Sequence, residues 1–106
     1  MSAIIRPAIN LVEPFRSEKY LAWVRRQASA ESGRAAGQAH HVIGHGRLGK
    51  SKHSDLWSFP LSPLEHDALH HILGYEAWEE QHGSQLLHAL KMIDQAAREG
   101  VLVVAL

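Results

Sequence analysis

The sequence contains no cysteine, and this absence limits both its stability and its chemistry. Disulfide bonds and thiolate zinc sites are excluded, and the redox compartment cannot be read from sulfur. Any metal ion must be held by nitrogen and oxygen atoms. The 106 residues are the length of one small domain. A chain of this size buries about 60 to 70% of its unfolded surface, so we expect it to fold without a large reserve of stability.

Long apolar runs and an excess of charge of one sign are also missing. No segment approaches the roughly 20 apolar residues of a membrane span. The N-terminal stretch MSAIIRPAINLVEPF has neither the basic start nor the cleavage site of a secretory signal. We therefore expect a soluble, cytoplasmic protein with no membrane partner. Eleven basic residues balance 11 acidic ones, so contact with a nucleic acid would have to be local.

Histidine is the residue type that the sequence has in excess. There are 9 histidines, and most lie between positions 40 and 71. Neutral imidazole is the commonest protein ligand for metal ions, and histidine titrates near physiological pH. The concentration of histidines therefore indicates metal or proton chemistry.

Hydrophobic periodicity and turn residues predict a mixed α+β fold. Residues 1–15 are predicted to form an extended arm, because two prolines interrupt any helix there. A first helix is predicted over 17–28, with Ser17 as its N-cap, and residues 29–38 are predicted to be a loop. The segments AHHVIG and LWSFPL are predicted to be the strands of a hairpin, joined by the glycine-rich basic loop 44–55.

Three further helices are predicted after the hairpin. Ser62 as N-cap and Pro63 in the first turn open a helix that carries HDALHHIL and ends at Gly74. The helices YEAWEEQH and LLHALKMIDQAARE follow, each ended by a glycine, and the second begins at Ser84. The tail VLVVAL can add an edge strand or pack on the core. The buried stripe of the last helix is predicted to comprise Leu86, Leu87, Leu90, Ile93, Ala96 and Ala97.

Two histidines four residues apart occur on the first of these helices. His66 and His70 share one face of the helix, one turn apart, as in helical metal sites. This pair is weak evidence by itself, because it can also be two solvated histidines beside His71. The hairpin strengthens the metal interpretation, since its first strand can deliver a third ligand from His40 or His41.

The order of these motifs resembles the HNH nuclease motif. A double histidine, an acidic residue in the connecting segment and HxxxH on the next helix follow one another between Ala39 and His71, as in colicin-type nucleases. More narrowly, about Arg16 to Val101 resembles a phage and prophage family of HNH-like proteins, the DUF968 type, through AHHVIGHG, HSDLWSFPL, HDALH and EEQHGSQLL. The resemblance implies a single HNH-like domain over 1–106, with a ββα-metal core at 39–73 and C-terminal helices at 75–100.

The resemblance also implies a role for each motif residue. His40, His66 and His70 match the metal ligands, His41 matches the general base, and Asp55 matches the central residue of the motif. One divalent ion (Mg²⁺, Mn²⁺, Ni²⁺ or Zn²⁺) would stabilise the phosphorane-like transition state and the departing 3′ oxygen. His41 would take a proton from the attacking water, while Asp55 would fix the loop or the His41 tautomer.

Two points stay open at the level of sequence. Neighbouring strand residues point to opposite faces, so only one of His40 and His41 can face the helix; the family pattern favours His40 as the ligand. In the connecting loop, Arg47, Lys50 and Lys52 are candidates for positioning phosphate groups of a nucleic acid. The alternative is that this loop is merely a solvated surface segment.

The sequence departs from the family pattern at a second metal site. Many relatives carry a structural zinc held by cysteine pairs that bracket the hairpin. The corresponding residues here are Ser29, Ser32, Ser62 and Glu65, and serine hydroxyls are poor zinc ligands, so no structural zinc is expected. Something else must then fix the 29–38 loop, or the loop is mobile.

These features together predict a metal-dependent endonuclease of phage or prophage type that hydrolyses phosphodiester bonds, with DNA as the expected substrate. The alternative is a non-catalytic nucleic-acid-binding or recombination accessory protein that retains the ββα-metal scaffold. A purely structural metal-binding domain leaves His41 and Asp55 without a role. The native metal, the strandedness of the nucleic acid and the oligomeric state, including a homodimer, are left open by the sequence.

Overall fold

A computed structural model gives the fold and describes residues 15–45 and 54–103. The other stretches hold most of the predicted N-terminal arm and the end of the C-terminal tail. They also hold residues 46–53 of the basic loop, so the predictions made for Arg47, Lys50 and Lys52 lie outside the described residues.

The described chain is a mixed α+β fold with one antiparallel hairpin and four α-helices, as the sequence predicts at this level. One α-helix precedes the hairpin and three follow it. The second α-helix is followed directly by a π-helical turn, Leu69–Leu73. The elements in chain order are α1 (Glu18–Arg25), β1 (Gln38–His41), β2 (Ser58–Leu61), α2 (Pro63–Ala68), α3 (Tyr75–His82) and α4 (Gln85–Arg98).

Serine side chains determine where three of the helices begin. The hydroxyls of Ser17, Ser62 and Ser84 each accept a hydrogen bond from a backbone N–H in the first turn of the helix that follows. At Ser62 this is a full capping box, because the Glu65 carboxylate also accepts from the N–H of Ser62. These three predicted helix starts are therefore confirmed.

The register of the hairpin places the double histidine next to β2. His40 pairs with Phe59 and His41 with Ser58, and the two histidine side chains point to opposite faces of the hairpin. Both strands are shorter than predicted, although Val42 still donates from its N–H to Trp57 O beyond the strand. β2 is buried along its whole length, since it contacts both α1 and α4.

Two apolar clusters hold the elements together, and α4 takes part in both. The first core cluster consists of Val42, Phe59, Leu61, Leu69, Trp78 and Ala89. The second core cluster consists of Tyr20, Trp23, Val24 and Ala96. Met92 packs against both clusters, so α4 joins the hairpin to α1.

The predicted buried stripe of α4 is wrong in part. Leu87 is 58% exposed and Leu90 is 46% exposed, and Ala97 is exposed as well. The buried residues of this helix are Gln85, Ala89 and Ala96. The helix is turned toward Gln85 because the amide of that residue satisfies buried polar groups of the hairpin, which periodicity of apolar residues does not reveal.

The described part of the C-terminal tail forms no strand. Leu102 packs against the second core cluster, whereas Val103 is exposed. Among the helices of the described residues, none has the length and apolar character needed to cross a membrane.

Candidate metal centre

His40, His66 and His70, here called the three-histidine cluster, meet between the hairpin and α2. One ring nitrogen of each lies within 4.8 Å of the others. β1 contributes His40, α2 contributes His66 and the π-helical turn contributes His70. The structure thus brings together the three side chains that the sequence predicts as metal ligands. π-helical turns are rare in proteins, and those that occur are often found at functional sites.

His40 is the ring at the buried end of the cluster. Its side chain is fully buried, and its Nε2 lies 2.8 Å from Gln85 Oε1. Burial lowers the pKa of His40 to about 3, and the neighbouring imidazoles act in the same direction while the Gln85 hydrogen bond opposes them. The ring is therefore neutral at pH 7. Among the described residues, nothing forms a hydrogen bond with the other nitrogen, Nδ1.

His66 and His70 form the open side of the cluster. His66 Nδ1 lies 2.7 Å from Gln38 Oε1, and its Nε2 lies 3.1 Å from His70 Nε2. Burial lowers the pKa of His66, and the neighbouring His70 lowers it further. If Gln38 Oε1 accepts from Nδ1–H, the lone pair of a neutral His66 is on Nε2 and faces His70.

His41 lies on the opposite face of β1, beside Asp55. Its Nε2 is 3.0 Å from Asp55 Oδ1, and the other carboxylate oxygen accepts a 2.7 Å hydrogen bond from the backbone N–H of Ser17. Asp55 is buried, while the His41 side chain is 32% exposed. The side chain that lies beside the helical pair is therefore His40, while the roles of ligand and base stay predictions.

An open cleft gives solvent access to the cluster. It has a volume of about 300 Å³. Its walls come from β1, α2 and the π-helical turn, and they consist of Gln38, Pro63, His66, Asp67, His70 and His71. Both helical members of the three-histidine cluster thus line this cleft.

The four residues that the sequence matches to zinc-binding cysteines of relatives also come together. The Ser29 hydroxyl donates a 2.6 Å hydrogen bond to Glu65 Oε1, which also accepts from the Ser62 N–H at 2.8 Å. Burial raises the pKa of Glu65, but hydrogen bonds from Ser29, Ser32 and Ser62 outweigh it and lower that pKa to about 2. The Ser29 hydroxyl accepts in turn from the N–H groups of Glu31 and Ser32. Hydrogen bonds to one carboxylate therefore attach the loop after α1 to the start of α2.

Sequence reasoning missed three residues that hold the site. Gln38 and Gln85 bond to the rings of the three-histidine cluster. Glu79 accepts from His45 Nε2 at 2.9 Å and from the N–H of Gln85 at 2.9 Å, so His45 is tied to α3. The only sequence signal for these residues was the glutamine at position 85, which the structure places on the buried face of α4.

The fold and the cluster define a small mixed α+β protein with a candidate metal centre of three imidazoles. The chain belongs to the family described as "Protein of unknown function (DUF968)", whose model matches residues 5–100, as predicted. It is similar to "Uncharacterized protein YdfU" of Escherichia coli (strain K12), with 42% identity over 86 residues. That match covers 80% of this chain and 24% of the relative, so the chain spans about a quarter of the relative's length. No solved structure matches the chain.

Proposed function

We propose that this protein is a metal-dependent endonuclease of the HNH type that hydrolyses phosphodiester bonds in nucleic acid, with DNA as the expected substrate. One observation carries the proposal: three imidazoles converge within 4.8 Å, and one ring nitrogen of His40, Nδ1, is buried without a hydrogen-bond partner in the described residues. An unpaired buried acceptor costs about 1 to 3 kcal/mol. Coordination of a cation would offset that cost.

The donor set fits a divalent cation. His40, His66 and His70 would hold it through neutral ring nitrogens, and burial favours the neutral form of His40 and His66 by lowering their pKa values. Imidazole ligands suit Zn²⁺ and Ni²⁺ better than Mg²⁺, and three protein ligands leave a position for substrate. A bound cation would supply Lewis-acid stabilisation of the negative charge that develops at phosphorus.

His41 and Asp55 would carry out the proton transfer. The Asp55 carboxylate would accept from Nε2–H of His41 across their 3.0 Å contact, which leaves the lone pair on the second ring nitrogen, Nδ1. That nitrogen would take a proton from the attacking water, which requires a base whose pKa is near the working pH.

Nicking of supercoiled plasmid tests this proposal. Wild type and the variants His41→Ala and His66→Ala are incubated with Mg²⁺, Mn²⁺, Ni²⁺ or Zn²⁺, and metal uptake is measured separately by calorimetry. We expect His41→Ala to lose nicking by at least about 10²-fold with metal uptake intact. We expect His66→Ala to lose both. His82→Ala, a histidine outside the cleft, is the matched control and should keep both.

The outcomes separate the two functions that the sequence predicts. Plasmid that stays intact with every metal, while the protein still binds DNA, would reject the nuclease and favour the non-catalytic accessory protein. Nicking by His41→Ala at the wild-type rate would exclude His41 as the base.

A further inference from the structure

We propose that Gln85 is a positioning residue that fixes the ring tautomer of His40, so that the His40 Nδ1 lone pair points into the three-histidine cluster. The inference rests on the proposed function only where it assigns a metal ion to that cluster. It extends the site beyond the hairpin and α2 to the first residue of α4.

The orientation of the Gln85 amide follows from the backbone of Ile43. Gln85 is fully buried; its Nε2 donates to Ile43 O at 3.0 Å, and its Oε1 accepts from the Ile43 N–H at 3.2 Å. A backbone N–H can only donate and a backbone carbonyl can only accept. The reversed amide would set two donors against each other and two acceptors against each other, so only one orientation satisfies both groups.

This orientation determines where the His40 proton lies. Gln85 Oε1, an acceptor, faces His40 Nε2 at 2.8 Å, so Nε2 must carry the hydrogen. A neutral imidazole has a single N–H, and the lone pair is therefore on Nδ1. That atom is buried and has no hydrogen-bond partner among the described residues, as expected for an atom placed to coordinate a cation.

The turn between α3 and α4 holds Gln85 in place. The backbone N–H of Gln85 donates to Glu79 Oε2 at 2.9 Å, and the same oxygen lies 2.9 Å from His45 Nε2. Gly83 in this turn has a φ of 90°, a conformation that residues with a side chain rarely adopt. Hydrogen bonds thus run from α3 through Gln85 to the ligand ring.

The proposal predicts different effects for two substitutions of the same residue. Gln85→Met keeps the length of the side chain but removes the acceptor, so His40 loses its tautomer preference; groups in this position usually change metal affinity by about 10- to 100-fold. Gln85→Glu in its protonated form keeps an oxygen opposite His40 and the Ile43 N–H and a hydroxyl that donates to Ile43 O, so we expect it to keep the tautomer and most of the affinity. Gln95→Met, on the same helix but bonded to Gln27 and Glu99, is the matched control.

The first measurement uses the unmutated, metal-free protein. Proton-coupled ¹⁵N NMR of the histidine rings, with His40 assigned by loss of its signals in His40→Ala, shows which nitrogen carries the proton. We expect Nε2–H and a bare Nδ1. A proton on Nδ1 overturns the proposal, and this result does not depend on the folding of any Gln85 variant.

The second measurement is the affinity for Zn²⁺ and Ni²⁺ by competition with a chelator. The expected order is wild type, Gln95→Met and Gln85→Glu close together, with Gln85→Met at least about 10-fold weaker. Equal affinities of Gln85→Met and Gln95→Met overturn the positioning role. Failure of the wild type to bind either metal counts against the proposed function instead, and the NMR result then still decides the tautomer.

Discussion

Two side chains of the candidate site take their orientation from backbone groups of neighbouring segments. Gln85 is oriented by both polar groups of Ile43, and Asp55 is oriented by the N–H of Ser17. Each then presents an oxygen to one histidine of the double-histidine motif. Because a neutral imidazole has one proton, an acceptor on one nitrogen leaves a lone pair on the other. The two adjacent rings thus have different hydrogen-bond partners, which agrees with the proposal that His40 coordinates a cation and His41 accepts a proton.

Asp55→Asn should invert the tautomer of His41 without disturbing the metal ligands. The Ser17 N–H requires an acceptor, so the amide oxygen would face Ser17 and the NH₂ group would face His41 Nε2. The proton would then move to Nδ1, the nitrogen proposed as the base. We expect nicking to fall by about 10² to 10⁴-fold, as for comparable tautomer errors at a histidine base.

Plasmid-nicking rates and calorimetric metal titrations check this prediction. Metal uptake should be unchanged in Asp55→Asn. Asp94→Asn, which removes an exposed carboxylate on α4 paired with Arg98, is the control and should nick normally. Wild-type nicking by Asp55→Asn would show that the carboxylate does not set the state of His41.

At the scale of secondary structure, one carboxylate connects the loop after α1 to the start of α2. Glu65 completes the capping box of α2 and accepts from the Ser29 hydroxyl. The attachment also fixes the beginning of the helix that carries His66. The correspondence of these four positions to zinc-binding cysteines of relatives, inferred from the sequence, stays a prediction.

Cysteine at all four positions should create a zinc site. In the variant Ser29→Cys/Ser32→Cys/Ser62→Cys/Glu65→Cys, four thiolates would converge where the Glu65 carboxylate now accepts its hydrogen bonds, and four thiolates suit tetrahedral Zn²⁺. Titration with Co²⁺ should give a thiolate charge-transfer band, which the three-histidine cluster cannot produce. Zn²⁺ should then raise the thermal midpoint, because it binds the folded state.

The double variant Ser29→Cys/Ser32→Cys is the control for this experiment. It offers only two thiolates and should bind Co²⁺ much more weakly. Equal binding by the two variants would mean that the residues of α2 do not take part in the site.

For the molecule as a whole, α4 links the core to the candidate site. Its residues join the first core cluster to the second through Met92, and its first residue supports His40. A hairpin and helix alone would lack Trp78, Ala89 and Gln85. The three-histidine cluster therefore depends on the packing of the entire described chain, although its ligands come from β1, α2 and the π-helical turn.

The free energy of unfolding should decrease at alkaline pH because the Tyr20 hydroxyl is buried. Its hydroxyl is buried in the second core cluster without a partner among the described residues, and burial raises its pKa from 10.0 to about 12. Between these two pH values the unfolded chain loses this proton while the folded chain keeps it, so stability decreases as pH rises from 10 toward 12. Tyr20→Phe removes this contribution and, at neutral pH, should leave stability equal or higher by up to about 1 kcal/mol.

Urea denaturation of wild type and Tyr20→Phe at several pH values checks this expectation. The difference between the two proteins should grow above pH 10. Tyr75→Phe, at the other tyrosine, is the control and should follow wild type. Destabilisation of Tyr20→Phe at neutral pH would reveal a hydrogen bond to the hydroxyl from another part of the chain.

Short-range chemistry in the sequence was enough to predict several features of this protein. Ser17, Ser62 and Ser84 cap helices through hydrogen bonds within one turn. Gly74 and Gly83, both with positive φ, end helices at the predicted places. The spacing of His66 and His70 put both rings on one side of a helix. These features depend on residues a few positions apart, so the order of the amino acids determines them directly.

Tertiary structure alone decided which histidine of the pair joins the cluster, which face of α4 is buried, and how the serine positions are connected. Each of these depends on contacts between distant segments, such as His40 with Gln85, 45 residues apart, and Ser29 with Glu65, 36 apart. A glutamine is buried on α4 because the hairpin presents an unpaired N–H, a carbonyl and an imidazole at that point. The sequence of α4 does not indicate these groups, because they reach Gln85 only when the hairpin packs against α4.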